Sequence, residues 1–344
     1  MKTPNLFVFA PKELSQDAFI LWLAAWADPK YKTHNKALHQ LGQQFVVSLI
    51  VKCKGSYNIG KIESVTVQKQ YLNIDVLIIV NNKYFIIVED KVSSNEHGGQ
   101  LKRYLNSLQS DERYLNAHSA EILAIYYKTI EQSDLRNIKD AGYVLYSRKD
   151  FLKVFKRGIR SNIKNAILLD YCAYLNLIDN SINSDPLTTN DKSDGHVKKI
   201  CKQASPWIGY YEKLKRFKEC RNGDYGYVNN RRGGFWAFWF SGKTINDVHS
   251  YLQLEESKLC FRLNVEQTRL PVKNIAKDWF TAISEAACEL NYGGMRPSRL
   301  QPGSTMAVYV ADDYIVENDI KATLSRIKSS IQVLEYARKK ILAL

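Results

Sequence analysis

Residues 73–91, NIDVLIIVNNKYFIIVEDK, hold two apolar runs of strand length on either side of an Asn-Asn turn signal. Strands that are apolar on both faces belong in a sheet covered by helices, so this hairpin has to lie deep in a mixed α/β layer structure. Yet Asp75 sits inside the first run, and Glu89, Asp90 and Lys91 end the second. Burying such a set costs free energy, because like charges repel and desolvation disfavours each ion. Where the acids point depends on the turn. If Asn81-Asn82 is a strict two-residue turn, Val80 pairs with Lys83, Asp75 sits opposite Val88 and Glu89 faces the other way. If the loop spans Asn81–Lys83, or holds a bulge, Asp75 lies directly across from Glu89. Asp75, Leu77, Ile79, Phe85, Ile87, Glu89 and Lys91 then share one face.

In that second register two carboxylates and an ammonium converge at one end of an apolar sheet, and a divalent cation reverses the sign of the electrostatics. Two hard carboxylates with room for water suit Mg²⁺ or Mn²⁺. Lys91 can orient or deprotonate an attacking water and stabilise developing negative charge, which is the chemistry of phosphodiester hydrolysis. An acid-x-Lys triplet alone carries no weight, since Asp28-Pro29-Lys30, Glu256-Ser257-Lys258 and Asp319-Ile320-Lys321 match it too, at a turn or a helix start. The hairpin copy differs by its apolar strand, its antiparallel partner and the opposing Asp75. A solvated salt bridge at a strand end is the competing interpretation. The next segment weighs against it: a helix opened by Ser93-Ser94-Asn95 carries Leu101, Leu105 and Leu108 as its core stripe. Gln100 and Tyr104 lie one turn apart beside them, with Lys102 and Arg103 adjacent. Gly98-Gly99 precedes them and lets backbone approach an anion near a helix start.

Together Asp75, Glu89-Asp90-Lys91 and Gln100-Leu101-Lys102-Arg103-Tyr104 resemble the PD-(D/E)XK nuclease superfamily, in particular its RecB-like branch with ExK and QxxxY motifs. The resemblance covers roughly residues 10–150 and implies an α/β, restriction-endonuclease-like αβββαβ core with a mixed sheet. It further implies Mg²⁺ (or Mn²⁺) held by Asp75 and Glu89, with the Asp90 backbone carbonyl as a third ligand and Glu13 as an accessory acid. Lys91 becomes the catalytic lysine, while Gln100 and Tyr104 position substrate. Ile74 stands where the family name has proline.

Elsewhere the pattern is less specific. Ser15 is expected to cap a helix bearing Phe19, Ile20, Trp22, Leu23 and Trp26. A second helix is expected over His34–Lys52, strands over Lys61–Lys69, Tyr71–Val80, Lys83–Lys91, Glu121–Lys128 and Gly142–Tyr146, and a helix around Ile163–Ile178. The polar stretch 180–195 reads as a linker. It separates a nuclease-like domain over 1–179 from a smaller, basic α+β C-terminal domain over 196–344, whose last helix, from Asp319 to Leu342, could dock a partner or a second copy. Scattered Cys53, Cys172, Cys201, Cys220, Cys260 and Cys288 read as small buried hydrophobes of a reducing cytosol, and no metal-finger spacing occurs. The longest apolar run, Phe19–Ala27, is too short to span a bilayer, and the amino-terminal stretch does not read as a signal peptide.

Charge enters at this point. Lys and Arg number 49 against 35 Asp and Glu, a net +14. Such an excess points to a polyanionic partner, nucleic acid first and an anionic membrane second, with a dispersed solvated surface as the alternative. Between Gly195 and Arg232 the cations outnumber the acids, so Lys213, Lys215, Arg216, Arg231 and Arg232 are candidate phosphate contacts alongside Lys102 and Arg103. The aromatics that interleave with and follow these cations, including Trp236, Phe238, Trp239 and Phe240, could stack on unpaired bases but read first as strand core. The sequence therefore points to a cytoplasmic, metal-dependent nuclease acting on DNA, endonuclease rather than exonuclease, in an antiviral or other defence setting suggested by the resemblance. The alternatives are a nuclease acting on RNA and a catalytically inactive nucleic-acid-binding or protein-interaction module.

Overall fold

The computed structural model describes residues 4–55, 60–96, 98–159, 163–188, 195–229, 234–268, 271–298, 303–316 and 319–343. The chain divides into two compact units, Met1–Ile182 with Asp191–Ala204 and Asn183–Asn190 with Ser205–Leu344.

The first unit runs α1 (Leu6–Phe9), α2 (Glu13–Ala25), a 3₁₀ turn (Pro29–Tyr31), α3 (Lys36–Lys54), β1 (Val65–Tyr71), β2 (Ile74–Val80), β3 (Tyr84–Lys91), α4 (Gln100–Gln109), α5 (Glu112–Leu115), β4 (Glu121–Lys128), α6 (Arg136–Asp140), β5 (Val144–Ser147), α7 (Arg148–Ile159), α8 (Ala166–Asn183) and α9 (Gly195–Gln203). Its five strands lie in the order β1-β2-β3-β4-β5, antiparallel through β3 and parallel from β3 to β5. Leu77, Ile79, Phe85 and Ile87 meet Leu101 and Leu108 of α4 on one face. On the other face Phe19 stacks on Tyr171 at 3.9 Å and Phe45 on Phe151 at 4.7 Å, with the Tyr127 hydroxyl 3.0 Å from that of Tyr171. Both faces are thus covered, as the apolar runs require.

The hairpin turn decides the register. Val80 pairs with Tyr84, Ile79 with Phe85 and Val76 with Val88. The loop therefore holds three residues. Asn81 and Asn82 take left-handed φ of 54° and 49°, a conformation asparagine tolerates better than most side chains. The Lys83 amide closes the turn on the Val80 carbonyl at 2.9 Å, and the Lys83 carbonyl accepts from the Glu121 amide of β4. Asn81 anchors the loop sideways, its Oδ1 accepting from the Glu63 and Ser64 amides and its Nδ2 donating to the Lys61 carbonyl. Lys83 is the extra residue that changes the parity of the whole strand.

Several sequence expectations shift. Ser15 is not a cap, because α2 already starts at Glu13, whose acid suits the helix amino terminus. The helix expected from Ser93–Asn95 begins only at Gln100, because Gly98 and Gly99 hold φ of 64° and 68°, which a right-handed helix cannot include. Polar residues 180–183 belong to α8 because Ile178 and Ile182 extend its buried stripe. The helix α7 escaped the sequence reading; its first residue, Arg148, is buried and donates to Glu131, Asp179 and the Thr129 carbonyl. Cys288 is exposed rather than buried.

The second unit comprises α10 (Pro206–Leu214), β6 (Asp224–Val228), β7 (Phe235–Ile245), β8 (Val248–Glu255), β9 (Lys258–Asn264), α11 (Val272–Glu289), β10 (Arg296–Pro297), β11 (Thr305–Ala311) and α12 (Ile320–Leu342). Its six strands form an antiparallel sheet in the order β10-β11-β9-β8-β7-β6. Phe238 and Phe240 are core, as expected, with Tyr211 of α10 stacked on Phe238, whereas Trp236, expected beside them, is only half-buried. The last helix lays Leu324, Ile327, Val333, Leu334 and Ala337 into its own unit. Buried Arg338 ties that helix to the Ser250 hydroxyl at 2.9 Å and to the Ser241 and Ser250 carbonyls at 2.6 Å. No helix among the described residues is long and apolar enough to cross a membrane.

Candidate active site

Continuing the register from Val76↔Val88 puts Asp75 across from Glu89 at the end of the β2–β3 ladder. Asp75 Oδ2 accepts the Asp90 amide at 3.2 Å, which fixes its carboxyl beside β3. Glu89 is fully buried. Its Oε1 takes the Lys91 ammonium at 2.6 Å and the Gln100 amide, and its Oε2 has no hydrogen-bond partner among the described residues. Lys91 also lies 4.0 Å from Glu13 Oε2, while Glu13 Oε1 accepts from Ser94 Oγ at 2.5 Å and the Val92 amide at 3.3 Å. Strand alternation sends the Asp90 side chain to the opposite face, where Gln16 Nε2 donates to both its oxygens at 3.2 and 3.3 Å. Gln16 is held in turn by the Thr129 and Tyr171 hydroxyls.

Gln100 and Tyr104, one turn apart at the start of α4, both face this cluster. Gln100 does so by its bond to Glu89; Tyr104 is half-buried, and its phenol is pushed up by burial and by the charges of Glu89 and Asp75. Lys102 and Arg103 are exposed, and Arg103 donates to the Gly98 carbonyl across the glycine pair. Lys213 and Arg216 are exposed in the second unit, and Lys215 sits over the Tyr225 ring at 5.6 Å. Arg231 and Arg232 lie outside the described residues.

Two members of the cluster escaped the sequence reading. Asp17 follows Glu13 by one turn of α2, is 1% exposed, and has an Oδ1 without a partner. The i, i+4 spacing of two acids was visible, but not that α2 would press the second one against the sheet. Lys128 ends β4 beside Lys91 in the parallel register, buried, with its ammonium on the Ser94 carbonyl. Its neighbourhood is set by β4 alignment, for which a single strand carries no signal.

Burial dominates the electrostatics. Glu89 is raised from 4.5 to about 8, first by desolvation and then by Asp75, against the opposing pull of Lys91. Asp17 is raised from 3.8 to about 7, again by desolvation first and then by Asp75. Desolvation alone would lower Lys91, yet the bond and charge of Glu89 hold it above the ordinary ammonium value. Desolvation lowers Lys128 to about 8.

A hard divalent cation fits this donor set. The orphaned Oε2 of Glu89 and the repulsion between Asp75 and Glu89 are what a bound cation would relieve, and two carboxylates leave coordination for water and phosphate. Among the described residues no three His, Cys, Asp or Glu side chains form a closed metal cage.

The family model of the PD-(D/E)XK nuclease superfamily matches residues 17–197, a little over half of the chain. The protein belongs to that superfamily. Membership implies nuclease, hence phosphodiesterase, activity on nucleic acid. The matched span takes in β1 to α8 and every cluster member except Glu13. No curated protein and no solved structure is significantly similar to the chain.

For this superfamily member without metal, stability is expected to fall as pH rises from about 5 to 8. A carboxyl whose folded pKa is raised binds more protons in the folded state than in the unfolded one between the two values, here 4.5 and about 8 for Glu89. Its contribution is therefore present at low pH and lost on the alkaline side. Melting temperatures in chelator across that range should decline for the native chain and decline less for Glu89→Gln. A native profile that rises to pH 8 contradicts the assignment.

Proposed function

We propose that the first unit is a Mg²⁺- or Mn²⁺-dependent nuclease of the RecB-like kind, with Glu89–Lys91 as its ExK motif and Gln100–Tyr104 as QxxxY, that cuts DNA internally. The observation that carries this reading is the three-residue turn, which brings Asp75 across from Glu89 with the Lys91 ammonium 2.6 Å away. Asp75 and Glu89 would hold the cation, with the Asp90 carbonyl as a third donor and Glu13, or the buried Asp17, as an accessory acid reaching from α2. A cation held there would supply Lewis-acid polarisation of the phosphoryl group and a nucleophile at neutral pH.

The chain's own groups supply the rest. Glu89 has to give up its proton to serve as a ligand, and Lys91 beside it stabilises the carboxylate that remains. Because Lys91 keeps its proton in this environment, it acts as an ammonium that orients water and offsets charge growing on the phosphate, rather than as a base. Gln100 fixes the rotamer of Glu89 through its amide, and the Tyr104 phenol offers a donor to phosphate or base. Ser94 holds Glu13 toward the lysine.

Substrate class is tested by incubating the full chain and Mg²⁺ with covalently closed circular duplex DNA, linear single-stranded DNA and RNA. The expected result is nicking or linearisation of the circle, abolished by chelator. Digestion of RNA alone overturns the DNA assignment, and attack confined to free ends overturns internal cutting. A role in defence against foreign DNA is part of the proposal and is tested by plaque counts in cells carrying the native chain or Lys91→Ala. The competing inactive-module reading does not account for a complete set of acids, lysine and amide meeting at one point.

A further inference from the structure

The second unit carries a cleft that the cleavage chemistry does not use. It has a volume of about 590 Å³ and is lined by Trp239, Tyr251, Gln253, His249, Asn264 and Lys218, among others. Register explains how they meet. Trp239 pairs with Gln253 across β7–β8, and His249 pairs with Asn264 across β8–β9, while Tyr251 lies between Gln253 and His249 with the same parity. All five therefore project from one face of the sheet. The residues between them, Phe238, Phe240, Leu252, Leu254 and Leu263, project from the other, where Tyr211 of α10 and Arg338 of α12 pack. Helices cover the face of Phe238 and Leu252, and the cleft opens mainly along the other, with Phe240, Glu219 and Gly223 completing its lining.

The lining is unusual for a solvent-facing sheet. Trp239 is half-buried, lying over Gly226, where a Cβ would come within 3.1 Å of its ring, and Tyr251 is half-buried too. Gln253 is 5% exposed at the cleft floor; its amide nitrogen donates to Glu255 Oε1 at 2.8 Å, which leaves its carbonyl oxygen as an acceptor. One cation, Lys218, stands at the rim beside Glu219. Lys218 lines the cleft, and the segment 213–221 also exposes Lys213, Arg216 and Arg221. The acid in that segment, Glu219, is matched by Lys328 at 3.3 Å. Two aromatic side chains, a buried amide edge and a rim lysine match the three parts of an unpaired nucleotide: a ring to stack, a polar edge to read and a phosphate. A duplex buries its base faces and cannot offer the first.

We propose that this cleft binds an unpaired base of a single-stranded nucleic acid, stacked by Trp239 and Tyr251, its polar edge met by Gln253 and Asn264, and its phosphate by Lys218. The site belongs to the second unit and needs neither metal nor cleavage, so it stands or falls independently of the nuclease reading.

The test is fluorescence anisotropy of the full chain, in chelator, with a labelled single-stranded dT oligomer, a duplex of equal length and dTMP as competitor. Trp239→Ala and Tyr251→Ala should each weaken single-strand binding about tenfold or more and leave duplex binding unchanged. Trp239→Phe should keep most of the affinity because it keeps a stacking face. Lys218→Gln, an exposed change that leaves the core intact, should reduce the salt dependence of single-strand binding, so the proposal stays testable if an aromatic variant fails to fold. Unchanged single-strand affinity in all the variants overturns the proposal, as does an equal loss for single strand and duplex. Competition by dTMP as effective as by the oligomer assigns the cleft to a free nucleotide and overturns the strand.

Discussion

Lys91→Ala is expected to slow phosphodiester cleavage by about three orders of magnitude, the scale set by removing one well-placed group that offsets charge in the transition state. Its effect on stability should be small. Breaking a buried ion pair ordinarily costs roughly 3–5 kcal/mol, because the remaining charge has no partner. Here the remaining group is Glu89, which burial and Asp75 already raise to about 8, so without Lys91 it stays protonated and neutral at pH 7. The Gln100 amide still bonds its Oε1. Glu89 remains neutral instead of becoming an unpaired buried charge, and the variant should melt within a few degrees of the native chain. Single-turnover cleavage beside a thermal melt separates the two effects. Native-like cleavage by a folded Lys91→Ala protein would remove Lys91 from the chemistry.

The second large effect concerns the metal. Asp75 and Glu89 oppose each other in the empty site, so binding a divalent cation should stabilise the folded chain. A ligand at a hundred times its dissociation constant contributes about 2.7 kcal/mol, which for a unit of this size corresponds to a rise of roughly 5–10 °C. The gain should be larger at pH 8 than at pH 6, since at the lower pH the cation must displace a proton from Glu89, whose pKa is about 8. Glu89→Gln should melt at the same temperature with Mg²⁺ and with chelator. A native chain indifferent to both ions at pH 8 contradicts a two-carboxylate site.

The hairpin made much of this legible in advance, since its apolar runs dictated a covered sheet and its acids posed a register question with two answers. The sequence could not choose between them. The choice lies in Asn81, whose side chain bonds to residues 61–64, and in Lys83, whose carbonyl is taken by β4. Both are contacts between segments distant in sequence. Gln100 and Tyr104 could be grouped in advance because helical spacing is local; Asp17 and Lys128 could not, because their burial is a product of packing. The same asymmetry explains Trp239. The sequence reading grouped it with the core aromatics, and only the sheet order and the packing of α10 and α12 show that Phe238 and Phe240, not Trp239, face the helices. The start of α4 was placed too early because Ser93-Ser94-Asn95 looks like a cap, while the left-handed Gly98 and Gly99 set the actual boundary. Ser94, inside that false cap, bonds Glu13 and Lys128 instead of a helix.

The central claim is that the odd turn makes Asp75 and Glu89 one metal site. The most direct measurement is the anomalous scattering of a crystal of the full chain soaked in Mn²⁺ near pH 8. The prediction is a peak within coordination distance of both the Asp75 and the Glu89 carboxylates, beside Lys91. A peak held elsewhere, with Asp75 and Glu89 still bonded only to their protein neighbours, would contradict it.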